Sequence, residues 1–169
     1  MFYRDFKNKK GNAITDGITV VIFLFIFSLM GIVGYMVFDS INADIQADPA
    51  LGEATKSTSG TLYSLYPDLI DGSFMFIVVL LTIFAIVSVF VLDTHPIYFI
   101  MAVMLLVGVF IVGASLSNAF VDVTSTDALS TYTNSFPAMA FVMTNLVQVI
   151  MGITFVVMIA LFAKFRSNM

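Results

Sequence analysis

Residues 91–100 read VLDTHPIYFI. An aspartate, the only histidine of the chain and a proline stand together between two long apolar runs. Two readings compete: a buried Asp-His working site, or a turn between two helices. Pro96 suits the first turn of a helix, where its missing N–H leaves no bond unmade. It also pushes His95 out of helical geometry and so ends the run before it. Asp93 or Thr94 can accept hydrogen bonds from the free N–H groups of the new helix. Asp93, Thr94, His95 and Pro96 are therefore read as a tight hairpin turn at a membrane surface, with Tyr98 at headgroup depth. The alternative is a pH-sensitive or partner-binding contact, since an interfacial histidine can titrate near neutrality.

The surrounding composition identifies the solvent. Of 169 residues, 60% are hydrophobic and 11% charged, and the mean hydropathy is +1.03. A water-soluble fold this short cannot cover so much apolar surface. Four apolar segments are each long enough to cross a hydrocarbon layer of roughly 30 Å, which takes about 20 helical residues. They span approximately 13–38, 72–92, 96–119 and 137–163 of a single membrane domain, 1–169. In lipid the backbone must bond within its own segment, so each is expected to be an α-helix despite many β-branched residues. The predicted fold class is an all-α integral membrane protein with four transmembrane helices and a tight hairpin between helices 2 and 3. A basic stretch precedes the first segment, but Ile18 to Phe38 is too long for a signal-peptide core of about 7–15 residues. The expectation is a retained span. The stretch KKGNAITD, with Lys9-Lys10-Gly11 ahead of Asp16, resembles the leader of type IV pilin-like proteins; three further spans do not fit a pilin. The other reading is a basic anchor followed by a helix start, with Asp16 favourable near the helix N-terminus.

Charge sets the expected orientation. Arg4, Lys7, Lys9, Lys10, Lys164 and Arg166, six of the seven basic residues, flank the ends of the four-span block. The positive-inside rule puts both termini on the cytoplasmic or equivalent side. The outer loops, 39–71 and 120–136, are acidic. Residues 39–71 carry Asp39, Asp44, Asp48, Glu53, Asp68 and Asp71 against Lys56 alone. Its tip, DIQADPALGEATKSTSGT, has turn composition and is expected to be irregular. In TLYSLYPDLIDG, Leu62, Leu65 and Leu69 recur at near-helical spacing, which predicts a short interfacial helix or turn lying on the membrane. All six tyrosines fall near span ends or in loops.

Polar residues inside spans are costly and therefore informative. No Lys, Arg, Glu or His sits mid-span, which argues against a proton- or ion-coupled transporter. Asn145, Gln148 and Gly152 share one face of the fourth segment. Such amides commonly bond across a helix interface, for about 0.6–2 kcal/mol; the other reading is a polar pore lining. Ser28, Gly31 and Gly34 form a small-residue strip in the first segment, and Gly113 and Ser117 a small-xxx-small pair in the third. These strips are expected to be helix contacts, within or between subunits. No cysteine, one histidine and no intramembrane acid pair leave no parts for a catalytic set or a metal site. No enzyme activity, cofactor or metal is predicted. A net charge of −4 with seven basic residues argues against specific nucleic acid recognition.

The basic head FYRDFKNKK, the acidic outer loop, the DTHP turn, the SLSNAF exit of the third span and the basic tail AKFRSNM together resemble, at the level of architecture, the small multi-span proteins in the internal membrane of icosahedral, membrane-containing phages and viruses. That resemblance implies a structural role, with many copies in a curved membrane beneath a capsid. It carries over no functional residue. The expected function is a non-enzymatic structural membrane protein, or scaffold, of a larger assembly. The alternatives are a small accessory subunit of a respiratory, secretion or transport complex, and a holin-like pore former. The implied partners are the lipid bilayer, other membrane or capsid subunits, and copies of the chain itself.

Overall fold

The computed structural model describes residues 13–91 and 96–167, with side chains described within 17–88 and 106–164. The described residues form helices α1 (Ala13–Ala47), α2 (Glu53–Val91), α3 (Pro96–Thr124), α4 (Asp127–Thr133), α5 (Pro137–Thr144) and α6 (Leu146–Ser167). Four stretches are long and apolar enough to cross a membrane: Gly17–Ala47, Glu53–Ser88, Leu106–Thr124 and Leu146–Lys164. Pro96 opens α3, where a proline is cheapest. Asp93, Thr94 and His95, and the basic N-terminal segment with its KKG motif, lie outside the described residues.

The long helices form a ring in the order α1, α2, α6, α3, each packing on its two neighbours. Consequently α2 and α3, consecutive in sequence, sit across the ring from each other with no extensive contact among the described residues. The tight hairpin expected between them lies outside the described residues and bears only on the joined ends. The connection limits only how far apart two helix ends can be; packing along their length follows the complementary faces. Those faces belong to α1. Its Val21, Leu24, Ser28, Gly31, Ile32 and Tyr35 are buried, at alternating three- and four-residue steps that keep them on one stripe. Outward positions such as Phe23, Met30, Phe76, Ile111 and Phe155 are large, apolar and exposed, the arrangement that lipid permits and water does not.

The small residues of α1 set how closely its neighbours approach. A Cβ added at Gly31 would lie 2.8 Å from Ile70 Cγ2 on α2 and 3.3 Å from Met139 Cε on α5. One added at Gly34 would collide with the Tyr66 hydroxyl. Ser28, fully buried, donates its hydroxyl to the Leu24 carbonyl at 2.7 Å and so presents no free polar atom to the interface. On the far side of the ring, a Cβ at Gly113 would meet Ile150 Cδ1 at 3.0 Å, where α3 touches α6.

The outer segment expected to hold an irregular tip and a short surface helix is mostly a continuation of two long helices. α1 continues to Ala47 and α2 begins at Glu53, so 39–71 is a helical extension of the first two spans, turned at residues 48–52. At about 1.5 Å per residue, α1 and α2 are each over 50 Å long, well beyond a 30 Å layer. The turn is made by Asp48, whose Oδ1 accepts from the Ala50 N–H at 2.8 Å, ahead of Pro49. The Gly52 carbonyl accepts from the N–H groups of Thr55 and Lys56 as α2 starts. TLYSLYPDLIDG is thus not a separate helix lying on the membrane but the first half of α2, with a buried Pro67 inside it. Pro67 deprives the Tyr63 carbonyl of its helical donor, and α2 continues because the segment packs on α1.

Gly31→Leu is expected to destabilise the bundle by about 1–3 kcal/mol through overpacking. Gly108→Leu, at a glycine with open space around it, should have little effect. Thermal unfolding of both variants in detergent, followed by circular dichroism, makes the comparison; equal melting would remove the close approach from the account of the fold.

Candidate functional site

The fourth span is not one helix. α5 runs for eight residues, Pro137–Thr144, and α6 begins at Leu146. Asn145 lies between them with φ −108° and ψ 30°. No proline causes the break. The Asn145 side chain folds back on its own helix: its Nδ2 donates to the Phe141 carbonyl at 2.9 Å, which also accepts the Asn145 backbone N–H at 3.0 Å. A side chain competing with the backbone for one carbonyl bends helices in this way. The ladder resumes with Val149 N–H donating to the Asn145 carbonyl at 2.9 Å. Among the described residues, then, the Asn145 side chain bonds within its own span rather than across a helix interface, unlike the expectation for it.

Broken helices inside membrane proteins leave free N–H and C=O groups, and transporters use such ends to hold substrates and ions. Here side chains of the same fold occupy them. Asp71 of α2, itself buried, accepts from the Met139 N–H at 2.7 Å through Oδ1 and from the Ala138 N–H at 3.0 Å through Oδ2. Together with Pro137 at the first position, this closes the N-terminus of α5. At the break, the Ser117 hydroxyl of α3 donates to the Thr144 carbonyl at 2.8 Å. Ser117 was expected only as a small residue permitting close approach; its hydroxyl also satisfies the interrupted helix. Gln148 and Gly152 lie on the exposed face of α6, away from the bundle interior. Among the described residues a Cβ at Gly152 would meet nothing within 4 Å, so Gly152 is not a close-approach site there.

The second constellation lies where the extension leaves the spans. Tyr35 is stacked between Tyr63 and Tyr66, at centroid distances of 5.0 and 5.7 Å, and meets Tyr132 and Phe136 edge-on. The Tyr132 hydroxyl donates to Asp39 Oδ2 at 2.8 Å, which ties the 120–136 segment to α1. Further out, the Ser59 hydroxyl donates to Asn42 Oδ1 at 2.8 Å and the Gln46 amide donates to the Lys56 carbonyl at 2.8 Å. Hydrogen bonding to Tyr35, then burial and the nearby Asp39 carboxyl, push Tyr63 well above the usual phenol range. Tyr132 is raised by its bond to Asp39, with burial adding to it.

Several features of a chemical site do not converge. Among the described residues no group of three or more His, Cys, Asp or Glu is placed to hold a metal ion. A groove between α1, α2 and α6 is walled largely by Gly17, Val20, Leu81, Ala85, Ile150 and Ile153, which fit a lipid chain better than a polar ligand. Comparison with protein-family models, curated proteins and solved structures found no match for the chain.

Two outcomes test these clusters. Asp71→Ala leaves two backbone N–H groups without an acceptor and should cost about 1–3 kcal/mol. Asp71→Asn, with one acceptor oxygen, should fall between, and hydrogen exchange at residues 138 and 139 should report the loss directly. Because Tyr63 and Tyr132 are raised in the folded state, their contribution is fully present below the ordinary phenol value of 10.0 and is lost as pH rises through the folded values. Tyrosinate absorbance should therefore show late-ionising phenols, with near-ultraviolet dichroism of the cluster lost only in that alkaline range. Loss of the dichroism below the ordinary value would contradict the assignment.

Proposed function

We propose that the chain is a non-enzymatic structural membrane protein, a scaffold subunit of a larger assembly such as the internal membrane of a virion. In this reading both termini lie on the cytoplasmic-equivalent side and the extension stands on the other, as the distribution of basic residues supports. The observation that carries the reading is the rigid extension. Residues 39–71 are two helical arms joined by the turn at 48–52, braced by the tyrosine cluster and by polar ties between α1 and α2. The extension still exposes Leu62, Leu65 and Leu69 alongside Asp68. Apolar residues held on a stiff helix beyond the span are a docking surface rather than a flexible connection.

The filling of both broken-helix ends by Asp71 and Ser117 favours this over a transport role. An accessory subunit of another membrane complex would use the same surface. What separates the two is the identity of the partners.

Native extraction followed by mass spectrometry should find the chain with other subunits at fixed stoichiometry. A Leu62→Asp, Leu65→Asp double variant should lose them while retaining its helical spectrum. Capsid components among the partners would support the virion setting; redox or transport subunits would support the accessory reading. Expression of the chain alone should leave the membrane potential intact. Collapse of the potential, with no co-purifying subunit, would overturn the scaffold in favour of a pore former.

A further inference from the structure

The groove between α1, α2 and α6 is a cleft of about 270 Å³. α1 and α6 stand at opposite corners of the ring, with no extensive contact among the described residues. A space walled by both therefore reaches into the bundle rather than lying on its outer surface. Its walls are apolar, and the Thr82 hydroxyl among them already donates to the Val78 carbonyl at 2.8 Å. The helices give its depth. Tyr35 and Asp71 mark the face at which the extension begins. At about 1.5 Å per residue, Leu81 and Ala85 lie roughly 15–21 Å below Asp71, and Gly17 and Val20 roughly 22–27 Å below Tyr35. The cleft thus occupies the half of a roughly 30 Å hydrocarbon layer that lies away from the extension. An empty space there forfeits the contacts of the side chains around it, and what hydrocarbon offers to fill it is an acyl chain. The volume is below the roughly 300–1,000 Å³ of drug-sized sites, room for part of one chain and for no headgroup.

The face nearest the cleft is the basic one. Four crossings return the end of α6 to the side where α1 starts. The sequence around the start of α1, between α2 and α3 and at the end of α6 holds six basic residues, Lys9, Lys10, Lys164 and Arg166 among them, against Asp5, Asp16 and Asp93. Lys164 stands at the end of the α6 span, roughly 16 Å beyond Ile153. We propose that the cleft is a binding site for an anionic phospholipid, with one acyl chain between α1, α2 and α6 and the phosphate-bearing headgroup at the basic face. Basic residues where a space between spanning helices meets the surface favour anionic headgroups over zwitterionic ones. The chain completes the core of a ring whose diagonal helices do not pack on each other. The extension stands at the other face, so the site is independent of whatever the extension docks.

The full-length protein is reconstituted in vesicles of equal parts phosphatidylglycerol and phosphatidylcholine, extracted in mild detergent and weighed by native mass spectrometry. It should retain phosphatidylglycerol several-fold more often than phosphatidylcholine. Ala85→Phe, which fills the cleft, should abolish retention of both. Lys164→Gln with Arg166→Gln should lower the preference about 5-fold for each charge removed. Val107→Phe, on the exposed face of α3, should change neither. Added phosphatidylglycerol should also raise the melting temperature of the wild-type protein and of Val107→Phe, and leave that of Ala85→Phe unchanged. Ile153→Phe replaces Ala85→Phe if helical dichroism shows the latter unfolded. Equal retention of the two lipids overturns the proposal, as does phosphatidylglycerol retained undiminished by the filled cleft. Retention that falls with the charge variants alone overturns it too, assigning the lipid to the basic face without the cleft.

Discussion

Ala138 and Met139 carry two of the N–H groups that every helix start leaves unbonded, and Asp71, on another helix, accepts both. In water such groups would turn to solvent. At the edge of a hydrocarbon layer an internal acceptor is required. This bond lets the fourth span begin as a short separate helix. It holds α5 against α2 and keeps Met139 in the space beside Gly31. The same requirement recurs at the other end of α5, where the Thr144 carbonyl is satisfied by Ser117. The bundle tolerates a break in a spanning helix because α2 and α3 supply the missing partners from opposite sides of the ring.

α1 is the element that makes this possible. Its stripe of Ser28, Gly31 and Gly34 brings α2 and α5 close enough for short side chains to reach backbone groups, and its Tyr35 organises the aromatic cluster above. Hydrophobic burial does not drive helices together in lipid as it does in water. Close packing and internal hydrogen bonds take its place. In the spans most hydroxyl groups follow that logic: Ser28, Thr82, Ser88 and Ser115 each donate to a carbonyl one turn back.

Beyond the spans the stabilising interactions change character. The extension is held by stacked tyrosines, by the Tyr132–Asp39 bond and by amide and hydroxyl ties between α1 and α2. These are groups that suit a wet interface, where rings lie at headgroup depth and polar tips stay hydrated. A stiff, acidic projection braced in this manner is suited to meeting a partner at a fixed height and angle, the physical basis of the scaffold reading.

The helical class and the four apolar stretches follow from the sequence alone, because lipid leaves a long apolar segment no stable alternative to the helix. The small-residue strip was legible too, since Gly and Ser at three- and four-residue spacing have few other uses in a span. What the residues did not disclose is how they pair. TLYSLYPDLIDG reads as a short helix or turn lying on the membrane because its leucines recur at helical spacing; packing of Tyr63 and Tyr66 on Tyr35 instead carries α2 straight through Pro67. Asp71 reads as one acid among six in a polar segment, and nothing near it in sequence points to residues 138 and 139. The ring order, with α2 and α3 on opposite sides, also escapes a local reading. Sequence determined which segments enter the membrane, a matter of transfer free energy summed residue by residue. The tertiary structure alone decided which helices touch and which polar groups meet, because those depend on contacts between residues far apart in the chain.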